Sequence, residues 1–240
     1  MLQLGKIMKI KQLNIFTLIT FLLMVSFLPK SHATETSIAS VNEAIVNSLE
    51  QTNDKFIAGE HYVVLNKPVA TRDKSKVEVV EMFSYGCPHC FEFEPLIKEW
   101  VKNKSNNIDF WYFPAVWNQP MELFAKAFYT AHELNILEKI HIPLFTTIVI
   151  EQKKLSTEND LANFFTEYGI DNQAFTHAFN SSAVENQAKL AQQHVHSYSP
   201  AGVPEIIING KYRIDRMRAG GLKEMLEVAD YLIKKEQELL

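Results

Sequence analysis

The chain contains two cysteines, Cys87 and Cys90, and both lie in one stretch, Cys87-Pro88-His89-Cys90. The spacing lets both sulfurs meet across the first turn of a helix and close a small disulfide ring. Reversible dithiol–disulfide exchange is the chemistry such a pair offers, and its nucleophile is a thiolate. Position within the helix decides which sulfur reacts. A helix start presents free N–H groups and the positive end of the macrodipole, and both favour an anion. A thiolate at Cys87 is such an anion, so its pKa should fall. His89 adds a nearby positive charge or a donor. Pro88 costs little so early in a helix, because it removes an N–H with no helical partner.

Two other chemistries compete for the same residues. Cys87, Cys90 and His89 could be part of a metal site, but four ligands are usual, the chain has no second CxxC, and nothing in the sequence brings His194 and His196 close. The pair could also be an inert structural disulfide. A chain of 240 residues with 47% hydrophobic content can bury a core without such staples. The low cysteine count therefore favours chemistry over scaffolding.

The elements that position the pair are legible around it. Residues 77–83 are β-branched and apolar at most positions and read as a buried strand. Gly86 permits a tight turn, and residues 91–100 have a helical pattern, so the cysteines sit where a strand hands over to a helix. Residues 62–65 read as a short strand. Residues 108–115 read as a further buried strand, rich in aromatics and ended by Pro114. A strand–helix–strand order implies a parallel pair with a crossover helix. Beyond Pro120 the pattern becomes helical: residues 121–134, 136–150, 158–168, 173–180 and 183–198. A helix entry is expected near Ser156–Asn159 and a stop at Gly169. The sheet then resumes, with Pro204 beginning one strand, Asn209-Gly210 turning it back, and a second strand following. Residues 221–239 close the chain as an amphipathic helix.

This order resembles the thioredoxin fold, an α/β class, here with an inserted helical domain. Cys87-Pro88-His89-Cys90 with Phe91 and Phe93, the helical insertion, and Gly202-Val203-Pro204 with Asn209-Gly210-Lys211-Tyr212 narrow the resemblance. Together they resemble the DsbA-type periplasmic thiol:disulfide oxidoreductases, from about Glu60 to Leu240. The resemblance implies a thioredoxin-like domain of residues 59–118 and 190–240, with an inserted helical domain of residues 119–189. It implies an exposed nucleophile at Cys87, a buried partner at Cys90, and a cis Pro204 against the disulfide. Val203 would offer backbone groups to an extended substrate. Glu81 would be the buried acid beneath the site, a proton relay. No cofactor is implied. Reduced exported proteins would be the substrates and an inner-membrane, quinone-linked enzyme the reoxidant. The family's acid often has a basic partner on the neighbouring strand, and residues 108–115 carry no Lys or Arg. A dimeric disulfide isomerase or reductase on the same scaffold is the alternative within the family, and a periplasmic metal-binding protein is the alternative outside it.

The first residues fit an exported protein. Lys6, Lys9 and Lys11 precede the apolar run 13–28, and Ser31-His32-Ala33 offers a cleavage site, so residues 1–33 are expected to be a signal peptide removed after Ala33. An uncleaved membrane anchor is the other reading of that run. The chain has 24 Lys+Arg against 28 Asp+Glu, a formal net charge of -4. Removing residues 1–33 takes away Lys6, Lys9, Lys11 and Lys30 and no acid, so the exported chain is more acidic still. That disfavours nucleic acid as a partner. Residues 34–58 form an N-terminal extension. Within it, Ile38, Val41, Ile45 and Leu49 make one helical stripe, which either packs back on its own chain or makes a homodimer through residues 34–56.

Overall fold

Strand β2, Val77–Phe83, leads into the cysteines, and all of its residues are buried. The computed structural model describes residues 54–104 and 108–240. The signal peptide expected over residues 1–33, and nearly all of the helix expected over 34–56, lie outside the described residues. Residues 55–240 form a compact unit by themselves, and Phe56 already belongs to its core, edge-on to Tyr231.

Among the described residues the sheet has five strands in the order β1-β5-β4-β2-β3. They are β1 Val63–Val64, β2, β3 Ile108–Pro114, β4 Glu205–Ile208 and β5 Tyr212–Asp215. β2 pairs with β3 in parallel and with β4 in antiparallel fashion. The parallel pair is joined through α1, Pro88–Lys102, as the sequence order requires. β4 and β5 form the expected hairpin, although β4 starts one residue after Pro204. Asn209 and Gly210 both have positive φ, 50° and 61°, as a two-residue hairpin turn of matching twist demands. Gly210 has a second constraint. A Cβ there would lie within van der Waals distance of the Val69 carbonyl oxygen, far inside contact. Gly210→Ala is therefore expected to cost about 2 kcal/mol or more of stability, read as a lower urea midpoint with an unchanged slope.

Five helices lie between β3 and β4. They are α2 Gln119–Glu133, α3 Leu137–Phe145, α4 Glu158–Thr166, α5 Asn172–Phe179 and α6 Ser182–Tyr198. The pattern expected as one helix over 136–150 divides. α3 stops at Phe145 and a π-helical turn, Thr146–Ile150, follows. That turn is a run of β-branched residues, which crowd an α-helical backbone. α4 begins with a capping box between Thr157 and Asp160, one residue later than the entry expected at Ser156–Asn159. A short helix α7, Arg216–Ala219, and the long α8, Leu222–Gln237, complete the chain. α8 packs on α1, β4 and β5.

The alternation of β2 distributes the core. Val77 and Val79 join the cluster between the sheet, α1 and α8. Val80 and Met82 face the opposite side with Phe113, Val195 and Tyr198. Phe83, Tyr85 and Cys90 belong to a third cluster, built mostly from α2 to α5. The inserted helices thus form one wall around the cysteines.

Candidate redox-active site

Cys87 is the N-cap of α1, with extended backbone, and Pro88 is the first residue of the helix. Both cysteines are free thiols in this structure; Cys87 is partly exposed and Cys90 is buried. Cys87 Sγ accepts the Cys90 backbone N–H at 3.2 Å. It also lies 3.4 Å from the Val203 carbonyl oxygen, which accepts from the thiol. The Val203–Pro204 peptide bond is cis. The structure therefore brings Cys87, Cys90, Pro88, Val203 and Pro204 together at one end of the sheet.

The two thiols are driven in opposite directions. Cys87 is lowered to about 7. The Cys90 thiol donating to it is the largest cause; the backbone N–H groups of Cys90 and His89 add to this, and burial opposes them. The charge of His89 is the smallest of these causes. Its ring turns to the Glu92 carboxylate at 3.0 Å, so the helix start does more than the side chain between the cysteines. Cys90 is pushed far above the usual thiol range, first by burial, then by its bond to Cys87 and by the negative charge around it. A thiolate can form at Cys87 near neutral pH and cannot persist at Cys90.

This asymmetry fixes a pH dependence. The folded pKa of Cys87 lies below its ordinary value of 9.0. The stability it contributes to the dithiol protein is fully present above that ordinary value and is lost as pH falls through about 7. The disulfide form has no thiolate and lacks this contribution. Absorbance at 240 nm should titrate with a midpoint near 7, and the stability gap between dithiol and disulfide protein should widen from pH 7 to 9. His89→Ser should move the midpoint upward by less than one unit, because the backbone N–H groups remain.

Beneath the cysteines lie two buried carboxyl groups. Glu81 is on the face of β2 that carries Val79 and Phe83, and it is fully buried. Neither of its oxygens has a hydrogen-bond partner among the described residues. Burial, then the charges of Glu94 and Cys87, hold it protonated well above the carboxylate range. Glu94 follows Cys90 by one helical turn on α1 and is also buried. It receives two donors. His141 Nε2 lies 3.0 Å from Glu94 Oε1, and Tyr112 Oη donates to Oε2 at 3.4 Å. Tyr85 Oη is 2.7 Å from His141 Nδ1. Burial, then Glu94, keeps the Tyr85 phenol protonated, so Tyr85 donates to Nδ1 and His141 donates from Nε2. The pair is divided in role, with one acid that keeps a proton and one acceptor for a row of donors.

Sequence reasoning found Glu81 and missed this row. The base absent from 108–115 is supplied by α3, as His141, and it serves Glu94 instead of Glu81. Glu94 had a signal in its spacing from Cys90. His141 had none, since it is distant in sequence and reaches the site only through tertiary packing. His194 lies against the rings of Phe113 and Tyr198, away from the cysteines. Among the described residues no three or more His, Cys, Asp or Glu side chains are arranged to hold a metal ion.

Known proteins match this chain over most of its length. A family model described as Thioredoxin matches residues 66–228. The thiol:disulfide interchange protein DsbA of Pseudomonas aeruginosa is 38% identical over 184 residues, which are 77% of this chain and 87% of that protein. The protein of the same name from Azotobacter vinelandii is 38% identical over 179 residues, 75% of this chain and 84% of that one. The crystal structure of Pseudomonas aeruginosa DsbA superposes with a TM-score of 0.75 at 37% identity, covering 78% of this chain and 97% of that chain.

Proposed function

The chain belongs to the DsbA family of thiol:disulfide interchange proteins, and from that premise we propose how its own residues carry the exchange. It is an oxidoreductase on a thioredoxin fold with helices inserted between β3 and β4, and its activity is to donate a disulfide to proteins during oxidative folding. The observation that carries the residue assignment is the asymmetry of the pair, one partly exposed thiol lowered to about 7 and one buried thiol held protonated.

The cycle starts from the Cys87–Cys90 disulfide. A substrate thiolate attacks Sγ of Cys87, forming a mixed disulfide and breaking the Cys87–Cys90 bond. Cys90 leaves with the electron pair and takes the proton held by Glu81, because a buried thiolate is too costly to persist. Glu81 regains a proton from solvent. Glu94, His141 and Tyr112 line a cavity of about 250 Å³, which supports exchange from that side. A second substrate thiolate then attacks the substrate sulfur of the mixed disulfide, and Cys87 leaves as a thiolate. The substrate gains a disulfide and the enzyme keeps a dithiol. Val203 and Pro204 present the backbone against which an extended substrate lies. Trp117 and Met217, 44% and 77% exposed, follow the ends of β3 and β5 at the same end of the sheet and give unfolded segments an apolar surface.

The compartment is the periplasm, reached through residues 1–33 with cleavage after Ala33. A quinone-linked enzyme of the inner membrane returns the dithiol to the disulfide. Among the described residues no helix is long and apolar enough to cross a membrane. Rapid acid quenching of cells followed by thiol alkylation tests the assignment. Cys87 and Cys90 should be found mostly as a disulfide; a mostly reduced pair would mean an isomerase or reductase. Self-association through residues 34–56 is a separate proposal. Light scattering on residues 34–240 against residues 55–240, which keep Phe56 in the core, decides it: loss of a dimer on truncation supports the proposal, and two monomers reject it.

A further inference from the structure

The loop that carries Val203 and Pro204 is gripped from below by one buried ion pair. Glu205, the first residue of β4, and Arg213, on β5, have side chains 1% and 12% exposed, and their charged groups are 3.3 Å apart. Each partner holds a different end of the loop. Glu205 Oε1 accepts the backbone N–H groups of Ala201 at 2.8 Å and Gly202 at 3.2 Å. Arg213 Nη1 donates to the carbonyl of Tyr198 at 3.3 Å and to that of Ser199. Ser199 ends α6 in the left-handed region, φ 45°, a conformation that a residue with a side chain adopts only when its surroundings impose it. The carbonyls of Tyr198 and Ser199 at the end of α6 are therefore held by Arg213, the N–H groups of Ala201 and Gly202 by Glu205, and the two anchors face each other as an ion pair without a hydrogen bond between Nε and Oε2.

We propose that Glu205 and Arg213 are positioning residues for substrate, holding the Val203 carbonyl at its station beside Cys87. The inference rests on the reading of Val203 and Pro204 as the substrate-facing backbone. It explains why a carboxylate and a guanidinium are buried at strand positions that adjoin apolar residues. Glu205 pairs with Met82 on β2, and Ile206, Ile207 and Ile208 follow it. Such a pair is costly to bury and is kept where it fixes a geometry.

The grip also responds to pH. The charged groups acting on Glu205 are Arg213 and Asp215, both on β5. Burial, the largest cause, raises Glu205 to about 7, against the attraction of Arg213. As pH falls through that value the carboxylate gains a proton and the ion pair with Arg213 is lost, while the acceptor for Ala201 and Gly202 survives. Substrate affinity should then weaken on the acid side of neutrality.

The test is steady-state oxidation of a reduced two-cysteine peptide by the full enzyme, with KM and kcat determined separately from pH 6 to 8. Arg213→Met and Glu205→Ala should raise KM roughly tenfold, equivalent to about 1.4 kcal/mol, with kcat within about twofold, the signature of lost uniform binding. Arg213→Lys should recover part of that loss. In Glu205→Gln the ratio of its KM to that of the parent enzyme should grow as pH rises from 6 to 8, a comparison that cancels substrate thiol ionisation. If Glu205→Ala does not fold, the Glu205→Gln ratio decides alone. An unmoved KM in folded variants, a loss confined to kcat, or a ratio independent of pH overturns the proposal. Each of these leaves the parent enzyme fully active; an inactive parent would instead reject the catalytic reading.

Discussion

Cys87→Ser is expected to bring oxidation of reduced, unfolded proteins down to the uncatalysed rate, whereas Cys90→Ser mixed with proteins that already carry a disulfide is expected to accumulate covalent complexes, its Cys87 thiolate attacking one substrate sulfur and releasing the other as a thiolate. Both results follow from where the two sulfurs stand. Cys87 is partly exposed at the N-cap of α1, where N–H groups stabilise its thiolate, and it is the sulfur a substrate can reach. Cys90 is fully buried within the aromatic cluster of the inserted helices. Without Cys87 there is no accessible electrophilic sulfur, and the nucleophilic step has no substitute. Without Cys90 a mixed disulfide on Cys87 lacks its internal resolving thiol and persists. Non-reducing gels followed by peptide mapping check the second result, and every trapped linkage should run through Cys87. Complexes formed through any other residue would reverse the roles.

Glu81→Leu should separate stability from activity by a wide margin. Glu81 is buried with neither oxygen hydrogen-bonded among the described residues. Burying an unpartnered polar group costs about 1–3 kcal/mol on mutational scales, so an apolar residue of similar size should stabilise the protein by that amount. The gain has a defined pH dependence. The folded pKa of Glu81 lies well above 4.5, so the folded protein binds a proton that the unfolded chain has released. Stability of the parent therefore falls as pH rises above that value. The Tm difference in favour of Glu81→Leu should be smallest near pH 4 and grow towards pH 7. The same substitution removes the proton source for Cys90. Loss of a positioned general acid typically costs roughly 10²-fold to 10⁴-fold, and the loss should appear in the breaking of the Cys87–Cys90 bond by substrate thiolate. A variant that is stabilised and equally fast would show that Cys90 takes its proton elsewhere.

These three positions also mark how far the sequence could be read. Cys87, Cys90 and their strand-to-helix placement were legible because local spacing determines them. The Val77–Phe83 run named a strand buried on both faces, and Asn209-Gly210 named a turn whose two residues need positive φ. Glu81 was legible only through resemblance, since a single acid in an apolar strand carries no sign of its own. The row Tyr85–His141–Glu94–Tyr112 was not legible. Its members come from four separate segments, and what joins them is packing between α1, α3 and β3. The Glu205–Arg213 pair escaped for a related reason. Both residues sit in the hairpin that the sequence identified, yet their function depends on reaching across to the end of α6. Local pattern specified the elements; long-range contacts specified which polar groups the elements bury together.

The central claim is that the Cys87–Cys90 pair is a donor of disulfides, and its reduction potential tests this most directly. Equilibration of the purified protein with glutathione buffers at pH 7, read by alkylation of the two thiols, gives the value. A donor of disulfides should lie above roughly −180 mV, so that transfer of its disulfide to an unfolded protein runs downhill. A value near about −270 mV, the range of a thioredoxin reductant, would contradict the account.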